Sequence, residues 1–381
     1  MDTNSNNKHL YQQIRDDIIA RIKDGEISPG DKLGTEKKLS ESYNVSRPTI
    51  RQALKELEEL GLIERLLGKG TFVKSTVIDD QRELKNMITV IIPVLSTVFV
   101  ADIITGAQKI FDREGYSTEL LITNNSIEKE KKYLQKIAEE ETAGVILHPT
   151  QARYYNPAII NVLESNIPLI MTGRYYEHIE CNYVVADNYK GSYQATQYLI
   201  DRGHVKIGMV SKKPLIKTSL LNRISGYKNC LSDNDLVINR NMILDNLEYP
   251  SSLYSKSKKR DKESLEQRLE KFLRENNDMT AVIALNDTLG AEVVMTAKKM
   301  NVKVPEELSV IGFDNIEISS RIEPKLTTVD WSRENIGKTA AEELVKLIEK
   351  QKMPPVNKTL SVNLIERESV YNLNTRMEDL A

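Results

Sequence analysis

Three basic residues, Arg47, Arg51 and Lys55, follow one another at intervals of four. On an α-helix this spacing places all three side chains on one face. An arginine there can donate two hydrogen bonds to a guanine edge, or it can grip a phosphate. The alternative is an ordinary amphipathic helix whose basic face is simply solvated. The opposite, apolar face of this predicted helix consists of Ile50, Ala53, Leu54, Leu57 and Leu60.

The residues before this helix predict a second, shorter helix and a turn. Leu39 and Tyr43 lie four residues apart, which is the spacing of one buried helix face. A turn is predicted at Asn44-Val45. Ser46 is a typical N-cap, and Pro48 is tolerated in the first turn, where backbone N–H groups have no helical partner.

The residues after the basic helix predict a β-hairpin. Gly61 is typical of a helix end. Short strands are predicted at 63–66 and 71–73, joined by the turn 67–70, Leu-Gly-Lys-Gly. Two helices and a hairpin in this order are the layout of a winged helix-turn-helix, in which the second helix enters the major groove of DNA. The pattern therefore favours DNA binding over a solvated helix.

This stretch resembles the N-terminal domain of the GntR family of bacterial regulators from about residue 10 to residue 73. The resemblance is carried by SRPTIRQAL, by LEELGLI and by GKGTFV. One departure is Gly34-Thr35-Glu36, where the family usually has Pro-Ser-Glu or Pro-Thr-Glu, although Thr35 can still cap the helix. The DNA contacts that the resemblance implies are Lys37, Ser46, Arg47, Thr49, Arg51, Gly68, Lys69, Gly70 and Thr71.

The chain from residue 87 onward predicts an α/β domain. Apolar, β-branched runs alternate with amphipathic stretches, which is typical of βαβ units and of parallel sheets buried on both faces. The predicted strands cover 88–94, 117–123, 144–149, 167–173, 183–187, 207–211, 281–287 and 308–314. The predicted helices cover 101–114, 127–140, 189–201, 219–232, 288–300 and 333–349. So many units favour two open α/β lobes with a cleft between them.

The chain is predicted to consist of three parts. Residues 1–73 form the head, 74–86 a linker and 87–375 the α/β domain. The charged stretch 239–277 predicts a surface loop followed by a solvent-facing helix. The predicted fold is thus a small winged helix-turn-helix joined to a two-lobed α/β domain.

Polar residues collect where the predicted strands end, which is where open α/β sheets bind ligands. Carboxylates and amides pair well with vicinal hydroxyls, arginine supplies a rigid fork of donors, and the single Trp331 can stack on a sugar ring. Each residue also has an ordinary structural interpretation, as a helix cap or as part of the core. The candidate ligand-binding residues are His148, Gln151, Arg174, Tyr175, Asp187, Arg223, Asn286, Asp287, Asp314 and Trp331.

The α/β part, roughly 88–370, resembles the effector domain of the LacI/GalR family, which is itself similar to type I periplasmic sugar-binding proteins. The resemblance is carried by VVADNYKGSYQATQYLIDRGHVKIGMVS, RISGY, VIALNDTLG and VPEELSVIGFDN. It implies sugar contacts from Arg223, Asn286, Asp314 and Trp331. One departure is Gly173, where the family often has an acidic residue before the arginine.

The joined GntR and LacI/GalR resemblances indicate the class of effector. Such a combination is uncommon and resembles arabinose-responsive regulators of Gram-positive bacteria, which implies L-arabinose as the inducer. The residues by themselves predict only a small polyol or sugar. A phosphosugar or a purine is the alternative, because Arg174 and Arg223 also suit phosphate.

Composition and motifs argue against several other classes of protein. The net charge is −2, so the whole chain is not a polycation, and its two cysteines suit a reducing compartment. The polar N-terminus has no signal-peptide pattern, and no apolar run is long enough to predict a membrane span. His178 and Cys181 are too isolated for a metal site. Gly337-Lys338-Thr339 echoes a P-loop without its first glycine. We expect no enzyme activity and no cofactor.

These observations predict a cytoplasmic, sugar-responsive transcriptional repressor. Two chains are expected to form a homodimer through their α/β domains and to bind a pseudo-palindromic operator. The sugar is expected to release the DNA. The remaining alternatives are an activator and a transport-type sugar-binding protein, and the winged helix argues against the second.

Overall fold

The computed structural model describes eleven stretches of the chain, which are 10–23, 25–66, 70–74, 86–95, 98–139, 142–150, 155–176, 178–212, 218–247, 263–349 and 354–378. These belong to two compact units, Met1–Lys85 and Asn86–Ala381. The predicted linker 74–86 lies outside the described residues except at its two ends. No described helix combines the length and the apolarity needed to cross a membrane.

The first unit is a winged helix-turn-helix, as predicted. Its elements are α1 Leu10–Lys23, β1 Lys32–Gly34, α2 Glu36–Ser42, α3 Arg47–Glu59, β2 Ile63–Leu66 and β3 Gly70–Val73. The strands form an antiparallel sheet in the order β1-β3-β2. The sequence predicted only the β2–β3 hairpin. Strand β1 was missed because it is three residues long and has no apolar alternation, and it pairs with β3 at the other edge.

Local signals in the head act as predicted, with one exception. Thr35 caps α2 by accepting from the Lys38 N–H at 3.2 Å, and Asn44 makes the turn with a φ of 51°. Gly61 ends α3 with a φ of 70°. Ser46 holds the N-cap position of α3, but its hydroxyl contacts the Thr49 hydroxyl at 2.8 Å rather than a backbone N–H. The apolar faces of α1 and α3 are buried together in one core.

The second unit begins with a lobe built on a six-stranded parallel sheet in the order β14-β8-β7-β6-β4-β5. Its first elements are β4 Met87–Ile92, α4 Val98–Glu114, β5 Ser117–Ile122, α5 Ile127–Glu139, β6 Gly144–Leu147, α6 Ala158–Glu164, β7 Leu169–Thr172 and β8 Asn182–Ala186. Two later elements return to it. These are α12 Arg333–Glu349, which packs on α4, and β14 Asn357–Leu360.

The other lobe is built on a four-stranded parallel sheet in the order β10-β9-β11-β12. Its elements are α7 Asn188–Ile200, β9 Ile207–Lys212, α8 Thr218–Asp233, β10 Ile243–Leu247, α9 Leu265–Glu275, β11 Ala281–Ala284, α10 Asp287–Lys299, β12 Ser309–Ile311, α11 Ile318–Arg321, β13 Thr328–Asp330, β15 Asn363–Ile365 and α13 Leu373–Glu378. A short 3-10 helix, Arg240–Met242, precedes β10. Strands β13 and β15 pair as a separate antiparallel ribbon.

The chain passes between the two lobes at three places. These are the step from β8 to α7, the step from β13 to α12, and the turn from β14 to β15. One apolar cluster includes residues of both sheets, so the lobes share a core beside these crossings. The two parallel sheets confirm the predicted two-lobed architecture.

The charged stretch 239–277 corrects the prediction made for it. Helix α9 is not solvent-facing, because Leu269, Phe272 and Leu273 are buried in the core of the second lobe. Its start is fixed by a capping box between Ser264 and Gln267. Strand β10 was missed, since its few apolar residues are interrupted by Asp245 and Asn246. The structure does not describe residues 248–262.

Candidate functional site

A cleft lies where the carboxyl ends of strands from both sheets meet. Its empty space is about 610 Å³, part of which is open solvent. The first lobe contributes residues that follow β6 and β7, and the second contributes residues that follow β9, β11 and β12, which is where open α/β sheets bind ligands. The lining residues are His148, Gly173, Arg174, Ala186, Asn188, Lys212, Ser219, Leu220, Arg223, Leu285, Asn286, Asp314 and Trp331.

Most of the predicted ligand-binding residues come together in this cleft. The structure brings together His148, Arg174, Arg223, Asn286, Asp314 and Trp331. The predicted Gln151 lies outside the described residues. Four of these residues, His148, Arg174, Asn286 and Asp314, lie at the ends of predicted strands, where a ligand was expected to bind. Arg223 and Trp331 were chosen for their chemistry. The six side chains are separated by up to 183 positions in the chain.

Three predicted residues lie outside the lining because each has a structural role. Asp187 caps α7 by accepting from the Lys190 N–H at 2.9 Å. Tyr175 stacks on Tyr183, with ring centroids 4.1 Å apart. Asp287 is fully buried and accepts from the Thr328 hydroxyl and from the Ile316 N–H. Burial, followed by repulsion from Asp314, raises the pKa of the Asp287 carboxyl to about 8.

Arg223 forms the centre of the second lobe's wall. Its guanidinium donates to Asn188 Oδ1 at 2.8 Å, to the Leu285 carbonyl at 2.6 Å and to Asp314 Oδ1 at 3.0 Å. It also lies over the Phe313 ring, 3.5 Å from the centroid. Burial lowers the pKa of this group. All three guanidinium nitrogens are thus occupied by protein acceptors, and the side chain is fixed.

Asp314 accepts hydrogen bonds both through its carboxylate and through its backbone carbonyl. Its Oδ1 also accepts from the Trp331 indole N–H at 3.1 Å, so the tryptophan is fixed by a polar contact as well as by burial. Its carbonyl accepts from Arg333, which pairs with Asp102 of the first lobe at 2.7 Å. The backbone of Asp314 has a φ of 109°, an uncommon conformation for a residue with a side chain. Such strain, held in place by its surroundings, is typical of functional sites.

Arg174 occupies the corresponding position in the first lobe. It donates to the Thr150 carbonyl at 2.9 Å and to His148 Nε2 at 3.0 Å. Because a guanidinium can only donate, Nε2 accepts and the imidazole proton lies on Nδ1. Burial lowers the pKa of Arg174 to about 10, although attraction from the buried Glu130 opposes that shift. Glu130 also accepts from the Thr150 N–H at 2.6 Å.

Two polar residues of the lining, Lys212 and Ser219, were not predicted from the sequence, and Asn188 was noted at a strand end but not predicted to bind ligand. Lys212 was missed because the predicted strand ended one residue early, at Ser211, whereas β9 continues through Lys212. The strand-end rule finds Lys212 once this boundary is moved. Asn188 orients Arg223, a role that depends on a contact across 35 residues of sequence.

The head presents the predicted DNA-reading face to solvent. Lys37, Ser46, Arg47 and Arg51 are exposed, and Thr49 is half-buried beside them. Thr71 is buried in β3, so its side chain is not on this surface. Gly70 begins β3, with its Cα beside the Lys32 side chain. The remaining wing residues, Gly68 and Lys69, lie outside the described residues.

An ion-pair network surrounds Arg51, and the sequence did not predict it. Glu36 of α2 pairs with Arg51 at 3.1 Å and with Arg65 of β2 at 3.6 Å. Arg65 in turn pairs with Glu58 at 3.1 Å. Glu36 therefore connects both helices of the reading pair to the hairpin.

Among the described residues, no group of His, Cys, Asp and Glu could hold a metal ion.

Comparison with known proteins agrees with both halves of this description. Residues 10–73 match the profile described as "Bacterial regulatory proteins, gntR family", and residues 196–370 match "Periplasmic binding protein-like domain". The chain is similar to a protein of Halalkalibacterium halodurans named "Arabinose metabolism transcriptional repressor", with 31% identity and 90% of each chain covered. The chain belongs to this family of transcriptional repressors.

One further relative agrees with this assignment, and a solved structure shares the fold. A protein of the same name from Geobacillus stearothermophilus is 28% identical over 91% of this chain and 93% of its own. Among solved structures, a "transcriptional regulator CelR-cellobiose complex" has a TM-score of 0.64 at 22% identity, covering 85% of this chain and 91% of its own, and shows the shared fold. The repressor is a DNA-binding regulator with an effector domain, and it is not an enzyme.

Proposed function

We propose that the repressor binds L-arabinose in the cleft between its two lobes and then releases its operator. Two relatives covered over nine-tenths of this chain's length are named for arabinose metabolism. The cleft supports the same conclusion, since Asp314 and Asn286 offer an acceptor and an amide beside the indole of Trp331. Sugar hydroxyls both donate and accept, so they pair with such a mixed set.

The state of the two arginines favours a neutral sugar over a phosphosugar or a purine nucleotide. Arg174 and Arg223 suit phosphate in principle, but both donate to protein acceptors. Five of the ten guanidinium N–H donors of these two arginines already bind protein acceptors. A phosphate that took over one of these bonds would leave a buried polar group unpaired, at a cost of roughly 1–3 kcal/mol. A neutral pentose needs no such rearrangement.

The head supplies the DNA contacts in this proposal. Arg47 and Arg51 at the start of α3 read base edges or phosphates in the major groove. The DNA backbone beside these contacts is bound by Lys37, Ser46 and Thr49. The wing also contacts DNA in this proposal, and it consists of Gly68, Lys69, Gly70 and Thr71. These contacts come from its backbone and from the Lys69 side chain, because the Thr71 side chain is buried. Two heads, brought by a homodimer of α/β domains, match the two halves of a pseudo-palindrome.

Release of DNA requires that the sugar bind two states of the effector domain with different affinity. A sugar held by both walls stabilises the closed arrangement of the lobes, which are joined by three chain crossings. The linker then transmits the change to the heads. Because its target is the chromosome of a bacterium, we place the repressor in the cytoplasm.

The test of this proposal is operator occupancy against sugar concentration for the full chain. We expect L-arabinose to release the operator, while D-arabinose, D-ribose and D-arabinose 5-phosphate do not at the same concentrations. Calorimetry with the same sugars separates a failure to bind from a failure to release. Release by the phosphosugar and not by L-arabinose would overturn the proposed effector.

A fragment of residues 1–78 tests the dimer. It is expected to fold, because the head has its own apolar core. It should bind the operator far more weakly than the full chain, since the two heads lose the effective concentration that dimerisation provides. Equal affinities of fragment and full chain would show that the effector domain does not supply the dimer.

A further inference from the structure

The side chain of Lys212 belongs to the lining of the cleft. It is the last residue of β9, and it lines the cleft beside Arg223 and Asp314. Within the described part of the chain, its ammonium makes no hydrogen bond and no ion pair. The two cleft arginines differ in this respect, since both are occupied by protein acceptors.

Asp314 provides the complementary group. Its Oδ1 accepts from both Arg223 and Trp331. Its Oδ2 takes no hydrogen bond from the residues that the structure describes. Lys212 and Asp314 line the same cleft. Burial lowers the pKa of Lys212, the Asp314 carboxylate opposes this shift, and Arg174 and Arg223 add to it. Among the described residues, Asp314 forms its ion pair with Arg223 and not with Lys212. A donor and an acceptor of opposite charge therefore line one cleft without contact.

We propose that one hydroxyl of the effector bridges these two side chains, accepting from the Lys212 ammonium and donating to the Asp314 carboxylate. This inference rests on the proposed function, because it takes the effector to be a sugar. A hydroxyl is the group that fits, since it accepts and donates through one oxygen. An anionic oxygen would pair with Lys212 but would be repelled by Asp314. We call Lys212 and Asp314 together the clamp. The clamp therefore selects neutral polyols against phosphosugars.

The clamp makes Lys212 a specificity-determining residue. An ammonium is a compact charge with three donors on a flexible stem, so it can follow a hydroxyl as the lobes close. Lys212 belongs to the second lobe, as do Arg223, Asn286 and Asp314. The bridged hydroxyl would therefore bind to this lobe before it meets His148 and Arg174 on the opposite wall.

The experiment is calorimetry of L-arabinose with the full-length wild type, Lys212→Met and Lys298→Met. Methionine keeps the length of the stem and removes the charge, and Lys298 is an exposed lysine of the same lobe. We expect Lys212→Met to lose about 10- to 100-fold in L-arabinose affinity, as for a lost hydrogen bond to a charged group. Lys298→Met should bind as the wild type does, and melting temperatures of all three check the fold.

The bridged hydroxyl is identified by pairing the variant with the monodeoxy derivatives of L-arabinose. For one derivative, the loss of the hydroxyl and the loss of the ammonium should be non-additive, because either change removes the same bridge. Losses that add for every derivative would overturn the clamp. So would an L-arabinose affinity of Lys212→Met equal to that of the wild type, and in both cases the proposed effector would stand.

A failure of the proposed effector has a different signature. Wild type that binds D-arabinose 5-phosphate and not L-arabinose would overturn both the clamp and the effector. The same holds if the wild type binds neither sugar.

Discussion

The imidazole of His148 occupies the space in which a side chain at position 173 would begin. Gly173 has a φ of +69°, and a Cβ atom there would lie 2.3 Å from His148 Cε1. The ring comes from the neighbouring strand end, since His148 follows β6 and Gly173 follows β7. The first lobe therefore reaches the cleft at this point through His148.

A side chain at position 173 should displace this ring. Gly173→Ala is expected to destabilise the fold by about 1–2 kcal/mol through its left-handed backbone, and by about 1–3 kcal/mol more through collision with His148. L-arabinose affinity should fall as well, because the ring leaves its position. Chemical denaturation and calorimetry measure the two effects.

Gly115→Ala is the matched control for this substitution. Gly115 has a φ of +78° in the same lobe, but a Cβ atom there meets nothing within 4 Å. This variant should show the backbone cost alone, with unchanged sugar affinity. If the two alanine variants are equally stable, the packing of His148 against Gly173 does not exclude a side chain.

The head could be predicted from sequence because its signals are local. The spacing of Arg47 and Arg51, the Thr35 cap and the Gly61 helix end each act within a few residues. The position of four cleft residues could be predicted for a similar reason, since parallel strands carry their carboxyl ends to one edge. Only the alternation of strand and helix had to be recognised.

The errors arise where a role depends on a distant partner. Asp287 was predicted to bind ligand, but its carboxylate accepts from Thr328, which is 41 positions away and begins β13. Nothing local in the sequence indicates that contact. Helix α9 was predicted to face solvent because its charged residues outnumber its apolar ones, yet its apolar residues form one narrow buried stripe. Composition could not show this, whereas their spacing could.

Arg51→Ala should weaken operator binding by about 1–3 kcal/mol if the arginine reads a base. The side chain is 65% exposed, and its pairing with Glu36 holds it at the surface of the reading helix. A gel-shift titration at two salt concentrations measures the loss. If Arg51 contacts a phosphate instead, the loss is uniform across DNA sequences and the salt dependence falls by about one charge.

Arg21→Ala is the comparison for Arg51. Arg21 is a partly exposed arginine of α1 that pairs with Glu26 at 3.0 Å. Its removal changes the charge of the head equally and takes away a hydrogen bond with Tyr43 at the end of α2, but it removes no side chain of α3. A loss for Arg21→Ala as large as that for Arg51→Ala would indicate a general charge effect rather than a contact of α3.

His204 should make the stability of the effector domain depend on pH. The buried ring donates from Nε2 to the Tyr371 carbonyl at 3.0 Å, and its Nδ1 accepts from the Thr280 hydroxyl at 2.9 Å. Burial lowers its pKa below 6.5 in the folded state. Below pH 6.5 the unfolded chain therefore binds more protons, and the free energy of unfolding falls as the pH falls.

The measurement is chemical denaturation between pH 7.5 and pH 5.0 for the wild type and His204→Gln. Glutamine offers a donor and an acceptor but does not titrate, so its free energy of unfolding should fall less steeply across this range. Operator binding at pH 7.5 checks that the variant folds. Parallel pH curves for the two proteins would show that His204 does not cause the dependence.

Asn286 has two roles, and a substitution can separate them. Its Oδ1 caps α10 by accepting from the Leu289 N–H at 2.8 Å, which leaves the amide Nδ2 as a donor in the cleft lining. Asn286→Ser keeps a good N-cap and removes this donor. A ligand hydroxyl left unpaired costs about 1–3 kcal/mol, which corresponds to a roughly tenfold to hundredfold loss of sugar affinity.

The variant should therefore stay on the operator at L-arabinose concentrations that release the wild type, while its operator affinity without sugar is unchanged. Asn239→Ser makes the same exchange at the exposed cap of the 3-10 helix before β10, outside the cleft lining, so its release curve should match that of the wild type. Operator occupancy against L-arabinose concentration measures all three proteins. If the Asn286→Ser curve coincides with that of Asn239→Ser, Asn286 acts only as a helix cap, and the sugar is bound by the other residues of the wall.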